Sequence, residues 1–466
     1  MQILTTKPYQ IGSRYLHKMA RMIFSNTLSK ITLSLICLFI FYSQASFSSE
    51  TETAVVQATG AFNNIRLGPG DSKVGYDSTS YTTDSRAIES RQGVTANLIR
   101  VVDNPPLGLP KIPVPANNPI TKQKIELGRK LFFDRRLSIN NTFSCAICHI
   151  PEQGFTNNEL EKAVGVEGRS HRRNAPTIYN TAYLKRLFHD AREQSLETLV
   201  WSPLLAHNEM AMPAMGQVIE KIRHLPDYQG LFEKTFNGEQ ANAVTIGQAI
   251  ASYNRVLISG NSPFDRWYYA KEKGAISIPA QRGFNLFKGK AQCASCHSVG
   301  EQSALFTDNK LHNVGLGFIR SMGIEPEDET MLVAPGLYMS ISKSFRDTVS
   351  LPPLADVGYY EITQNPDDRW KYRTPSLRNI ALTAPYMHDG TMHSLKEVIA
   401  FYNQGGVSQN ENGFPNVTQS PLIKPLGLTN QESSDLIAFL NTLNGDNIAE
   451  LISDAFATPV GDTTNH

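Results

Sequence analysis

"FSCAICHI", residues 143–150, sets two cysteines three apart with a histidine directly after the second, and "AQCASCHS", residues 291–298, repeats the arrangement 148 positions later. Cysteines at i and i+3 on a helical turn face the same way. Both thiols can therefore add across the two vinyl groups of one haem, and the adjacent histidine reaches its iron. With 5 cysteines and 11 histidines in 466 residues, chance would place one such pentapeptide in roughly one of a thousand chains, and two far more rarely. A four-cysteine zinc site would bring its pairs within about 15–20 residues, and a thioredoxin-like dithiol requires a βαβ setting that is absent. Neither accounts for a histidine after both pairs. The motifs read as two covalently bound c-type haems, one on Cys145 and Cys148 and one on Cys293 and Cys296, with His149 and His297 as the proximal iron ligands.

Haem attachment of this kind occurs outside the cytoplasm, and the start of the chain agrees. Residues 31–43, "ITLSLICLFIFYS", are an apolar run preceded by Lys18, Arg21 and Lys30 and followed by small residues. This is the layout of a secretory signal, with 1–45 as the leader and an uncleaved N-terminal anchor as the alternative. Without the leader, 39 basic residues face 43 acidic ones, a balance that speaks against nucleic acid as a partner. The four remaining cysteines all sit in the two motifs, so no disulfide framework is implied.

Residues 46–100, rich in Ser, Thr, Gly and Asn, read as a flexible segment. Beyond them the apolar spacing is helical. Ile246, Ile250, Tyr253 and Leu257 follow one face. Ser394 with Glu397, and Thr429 with Glu432, are capping boxes that open two further helices, the first carrying Leu395, Val398, Ile399 and Tyr402 on its stripe, the second Leu436, Phe439, Leu440 and Leu443. Strand alternation is scarce. The expected class is all-α, with one helical unit per motif at 101–260 and 261–450, a boundary near 259–265, an insertion at 320–369 and a flexible tail at 451–466.

"SCAICH", "RRNAPTIYN", "NEM", "SGNSPFDR", "GFNLFKGKAQCASCHSVG", "KYRTPSLRNIALTAPYMHDG" and "SLKEVIAFYNQGG" occur in that order. In this respect residues 120–445 resemble the bacterial di-haem cytochrome c peroxidases and their relative MauG. The resemblance implies two cytochrome-c-like domains, periplasmic location, hydrogen peroxide as oxidant and a bound calcium. Electrons would come from a small cytochrome or copper protein, or from side chains of a partner protein; a homodimer is compatible with it.

Residue by residue, Glu209 falls at the family's distal acid/base over the peroxide-reacting haem. Leu199 stands where the family places a glutamine, and Val166 where peroxidases needing reductive activation carry a removable histidine ligand. His171, three before Asn174, does not match that spacing, although a loop shift could bring it round; without such a ligand the first haem would be open from the outset, as in MauG. Tyr402, fourteen after His388, matches the second iron's sixth ligand, which is methionine in the peroxidases and tyrosine in MauG; Met387, Met392 and Met339 are thioether alternatives. An anionic phenolate favours oxidised iron, whereas a thioether favours reduced iron. His189 replaces the family's inter-haem tryptophan, leaving Trp201 or a tyrosine as another route. Asn174, Thr383 and Pro385 fall at the calcium positions.

The expectation is an exported di-haem oxidoreductase reacting with hydrogen peroxide, MauG-like at the second haem. A non-catalytic electron carrier or peroxide sensor is the alternative that Leu199 and His189 favour.

Overall fold

The computed structural model describes residues 93–322, 328–334, 337–342, 344–345 and 355–457. All of these belong to one compact unit beginning at Ser90. The leader, most of 46–100 and parts of the insertion lie outside the described residues. Among the described residues, no helix is long and apolar enough to cross a membrane.

The helices that position the motifs are α1 (Lys122–Phe133), α2 (Cys145–Cys148), α3 (Leu196–Leu199), α4 (Ala243–Val256), α5 (Ile278–Lys288), α6 (Leu395–Asn403), α7 (Asn430–Leu440) and α8 (Ile448–Phe456). Their starts follow the sequence signals. Asn242 and Thr245 close a capping box on α4, Thr429 and Glu432 another on α7, and the Ser394 hydroxyl accepts the Glu397 N–H at the head of α6. The expected stripes are inside: Ile246, Ile250 and Tyr253 on α4, Leu436 and Phe439 on α7.

Two helix crossings organise the two halves. In the first, α1 packs on α4 so closely that a methyl at Gly128 would lie 1.9 Å from the Ala249 carbonyl oxygen. In the second, α5 packs on α7, and a methyl at Gly283 would lie 1.9 Å from the Asp435 carbonyl oxygen. Each crossing is backbone against backbone, which only glycine permits. Each crossing helix also leads into a Cys-x-x-Cys-His turn.

The residues expected at the boundary form a buried seam. Ser259 exchanges hydrogen bonds with the Asn180 side chain, N–H to Oδ1 at 2.9 Å and Nδ2 to the carbonyl at 2.9 Å, while its hydroxyl donates to Asn379 Oδ1 at 3.0 Å. Asn180 (φ 63°) and Asn379 (φ 62°) both adopt the left-handed conformation, which asparagine tolerates better than most residues. They stand 199 residues apart, as do His189 and His388, Asp190 and Asp389, and Ser195 and Ser394. The duplication thus extends well beyond the two cysteine motifs.

Three expectations need correction. The class is mostly helical with a little sheet, not purely helical: β1 (Leu311–His312) pairs antiparallel with β4 (Tyr372–Arg373), and β2 (Asp328–Ala334) with β3 (Leu337–Ser342). The second pair is a hairpin inside the insertion, where short runs of apolar and β-branched residues favour extended chain. The tail expected from 451 is helical through Phe456, because α8 buries Leu451, Asp454 and Ala455, and Asp454 pairs with buried Arg129. Order also begins before 100: Leu98 and Val101 pack with Leu451 and Ala455, and the Ala96 N–H donates to Asp454 at 2.9 Å.

Gly128→Ala and Gly283→Ala are each expected to cost roughly 1–3 kcal/mol through overpacking, read as a lowered thermal midpoint. Unchanged midpoints would show that the helices do not meet backbone to backbone.

Candidate functional site

Both motifs build the same local device. In the first, α2 is a single turn, and the His149 N–H donates to the Cys145 carbonyl at 2.9 Å. The imidazole Nδ1 lies 3.1 Å from the Phe155 carbonyl oxygen. In the second, a 3₁₀ turn spans Cys293–Ser295, the His297 N–H donates to the Cys293 carbonyl at 2.9 Å, and Nδ1 lies 2.8 Å from the Phe306 carbonyl oxygen. A carbonyl can only accept, so Nδ1 carries the proton in both rings and Nε2 keeps the lone pair. Phe155 (φ 52°) and Phe306 (φ 51°) are fully buried and share the left-handed conformation that turns these carbonyls inward.

Each turn opens on its own cavity. His149 and Cys148 line one of about 490 Å³, and His297, Cys293 and Cys296 line one of about 290 Å³. Burial pushes the Cys145, Cys148 and Cys293 thiols up to about 12 and Cys296 to about 11, and pulls His149 down to about 4. Burial lowers His297 as well. Neutral imidazoles with one ring nitrogen committed to the backbone, paired unoxidised thiols and separate cavities fit two haems. A four-thiolate zinc centre does not fit, because the pairs face different cavities. Among the described residues, the one close His/Cys/Asp/Glu group of metal-ligating size is Cys296, Asp308 and His312, and it uses a motif cysteine.

Glu209 and Leu199 line the first cavity. Burial raises the Glu209 carboxyl to about 7, against a smaller lowering by Arg192. Its backbone is fixed by the Val166 N–H, which donates to the Glu209 carbonyl at 2.9 Å. The Val166 side chain itself is core packing. The residue that spacing alone set aside enters the cavity: the bridge between Val164 and Ser170 folds the loop back, and His171 Nδ1 comes within 3.9 Å of Glu209 Oε1. No local pattern signals this, since the loop sets it.

Tyr402 projects from α6 into the second cavity, where burial pushes its phenol up and the Cys293 and Cys296 thiols add to the effect. Met387 lines the same cavity, Met392 packs on the aromatic core around Phe264, and Met339 is exposed on β3. Asn174, Thr383 and Pro385 share this cavity's wall. The Asn174 Nδ2 donates to the Glu161 carbonyl at 2.9 Å, which turns Oδ1 the other way.

The two cavities share a wall made of residues 174–177, Leu184, His189 and Arg373. His189 donates through Nε2 to the Asn174 carbonyl at 3.0 Å, and burial pulls it down to about 3. Trp201 lies in the core of the first half and lines neither cavity. Beside the wall, the Tyr372 and His388 rings stack with centroids 3.8 Å apart. Sequence reasoning missed this pair, although the His-Asp dipeptide repeated at 189 and 388 was a legible sign.

A mostly helical fold with two half-buried Cys/His sites on either side of a shared wall fits the class of two-centre haem proteins. The family model described as di-haem cytochrome c peroxidase matches residues 122–273. The chain is 39% identical over 344 residues to cytochrome-c peroxidase IdrP1 of Denitromonas iodatirespirans, spanning 73% of this chain and 86% of that one. It is 34% identical over 336 residues to methylamine utilization protein MauG of Methylorubrum extorquens, spanning 72% and 82%. A solved structure of a MauG-like protein associated with microbial copper homeostasis superposes with a TM-score of 0.60 at 32% identity, covering 74% of this chain and 96% of that one. The chain belongs to the di-haem cytochrome c peroxidase family and is a peroxidase-type oxidoreductase.

The Glu209 carboxyl is expected to titrate near pH 7, followed by its infrared C=O band and assigned by loss of the band in Glu209→Gln. A midpoint at the ordinary carboxylate value of 4.5 would show that the side chain is solvated.

Proposed function

We propose that each motif attaches one haem covalently, that residues 101–260 and 261–450 are two cytochrome-c-like domains, and that the first site reduces hydrogen peroxide. The observation that carries this reading is an asymmetry. Both cavities hold the same Cys-x-x-Cys-His device and meet at one wall, yet among their described lining residues only the first has carboxylates, Glu209 among them.

When bound, the haems supply the redox-active iron that peroxide reduction requires. The chain supplies orientation and protons. His149 and His297 present Nε2 from rings locked by their Nδ1–H bonds, which also raises their basicity as ligands. Glu209 takes a proton from peroxide and returns it to the departing oxygen. A buried carboxyl near neutrality suits both halves of that task, and its deprotonated form, the base, gains population as pH rises through 7. Tyr402 completes the second site. It would hold the second haem's iron through its phenol oxygen, and a phenolate there would favour oxidised iron and the storage of oxidising equivalents.

Electrons come from a small cytochrome or copper protein, or, as in a MauG-like reaction, from side chains of a partner protein. Asn174 through its side chain, and Thr383 and Pro385 through backbone carbonyls, offer the hard oxygen donors that calcium prefers. Residues 31–43 direct export, which places the protein in the periplasm.

Two c-type haems per chain are expected from the pyridine haemochrome of the mature protein; colourless protein overturns the reading. Glu209→Gln should lower peroxide turnover by ~10²–10⁴-fold with haem content intact. Tyr402→Met should raise the second haem's potential by roughly 0.1 V or more, within the ~0.8 V range that axial ligands govern. An unaltered potential and spectrum remove Tyr402 as a ligand.

A further inference from the structure

Leu199 leaves the first cavity without the second polar side chain that the family resemblance led one to expect beside Glu209. The geometry supplies another. His171 enters from the loop after the Val164–Ser170 bridge, held by its own N–H to the Ala163 carbonyl at 2.9 Å. Its Nδ1 stands 3.9 Å from Glu209 Oε1, and its buried Nε2 has no hydrogen-bond partner among the described residues. Both side chains line the cavity that His149 enters from its own turn.

We propose that, in place of Glu209 returning the proton alone, His171 and Glu209 form one proton-sharing acid–base pair, with His171 the catalytic group that relays the peroxide proton from the carboxylate to the departing oxygen. The proposal rests on the assignment of Glu209 as the peroxide base. In balanced form, hydrogen peroxide, two electrons and two protons give two waters. Glu209 accepts the proton of the inner oxygen and passes it to His171, and the imidazolium delivers it to the outer oxygen. The O–O bond breaks as that oxygen leaves with the bonding pair, as water. The reduced donor protein supplies the two electrons, and solvent the two protons that release the inner oxygen as the second water. The pair ends with the protons it began with.

Burial raises Glu209 and lowers His171. Arg192, anchored on Asp190 at 2.9 Å, lowers both. The other charges on this rim are already paired: Arg172 with Glu361 at 2.7 Å, and Arg173 with Asp190 and Asp356, each at 2.6 Å. The flanking arginines therefore fix the His171 loop instead of competing for the Glu209 carboxylate. His149 faces the cavity as a neutral ring. The imidazolium forms beside the Glu209 carboxylate, so each charge has an opposite neighbour while the proton is in transit.

The test uses the haem-loaded protein and its His171→Gln variant, which keeps a hydrogen-bonding side chain but cannot carry the proton. The variant should reduce peroxide at least roughly tenfold more slowly, keep the resting visible spectrum of the wild type, and titrate its Glu209 carboxyl band at higher pH because the shared-proton form is lost. An unchanged rate and an unchanged Glu209 midpoint overturn the proposal; with Glu209→Gln inactive, Glu209 stands as base without a partner. A switch of the first haem from low to high spin in His171→Gln also overturns it, since His171 would then be an iron ligand. Full activity in Glu209→Gln removes the base itself and the proposal with it. If His171→Gln does not retain both haems, the wild-type infrared difference spectrum decides. Loss of the carboxyl band coupled to an imidazole band supports a shared proton; loss of the carboxyl band alone overturns it.

Discussion

The hydrogen bond from a histidine Nδ1–H to a buried backbone carbonyl, made by His149 to Phe155 and by His297 to Phe306, is the constraint on which both sites depend. It fixes the tautomer, the ring plane and the direction of the remaining lone pair in one contact. Such a bond is worth only ~0.5–1.5 kcal/mol net. Its effect is directional, because the cysteine turn that precedes each ring leaves the imidazole otherwise free to rotate. The carbonyl must itself be held inward, and the left-handed conformation of a fully buried phenylalanine does so in both halves. Behind each stands a glycine-mediated helix crossing, so the chain is rigid from core to ring.

The join between the halves is polar rather than oily. Ser259 bridges the duplicated Asn180 and Asn379, and buried Arg378 pairs with buried Asp265 at 2.6 Å. Buried polar groups of this kind fix register, because each donor has one acceptor that fits it. The described part of the insertion adds a second tie. Asp356 and Glu361 clamp Arg173 and Arg172 at the edge of the first cavity, beside His171. The insertion is therefore part of the wall of a site whose motif lies about two hundred residues earlier.

Duplication followed by divergence explains how one scaffold gives two unequal sites. His189 and His388 occupy matched positions, yet the first forms the shared wall and the second stacks on Tyr372. The first cavity has acid and base side chains on its walls. The second is lined mainly by apolar residues around Tyr402.

The sequence by itself determined the two Cys-x-x-Cys-His motifs, the capped helices with buried stripes, and the family, because these are local: spacing on a turn, a cap three residues from its partner, an apolar face every three or four positions. It also carried Tyr402 on an inward stripe. Only the tertiary structure decided that residues 93–103 and 451–456 are ordered, since their apolar residues count only when they bury one another across the whole chain. The same holds for His171. Its distance from Glu209 comes from a loop folding back across thirty-eight residues of sequence, and no periodicity reports a contact made by a loop. The pairing of His189 with the Asn174 carbonyl and the stacking of Tyr372 on His388, each within one half, were likewise set by packing, where proximity is a property of the fold and not of the spacing.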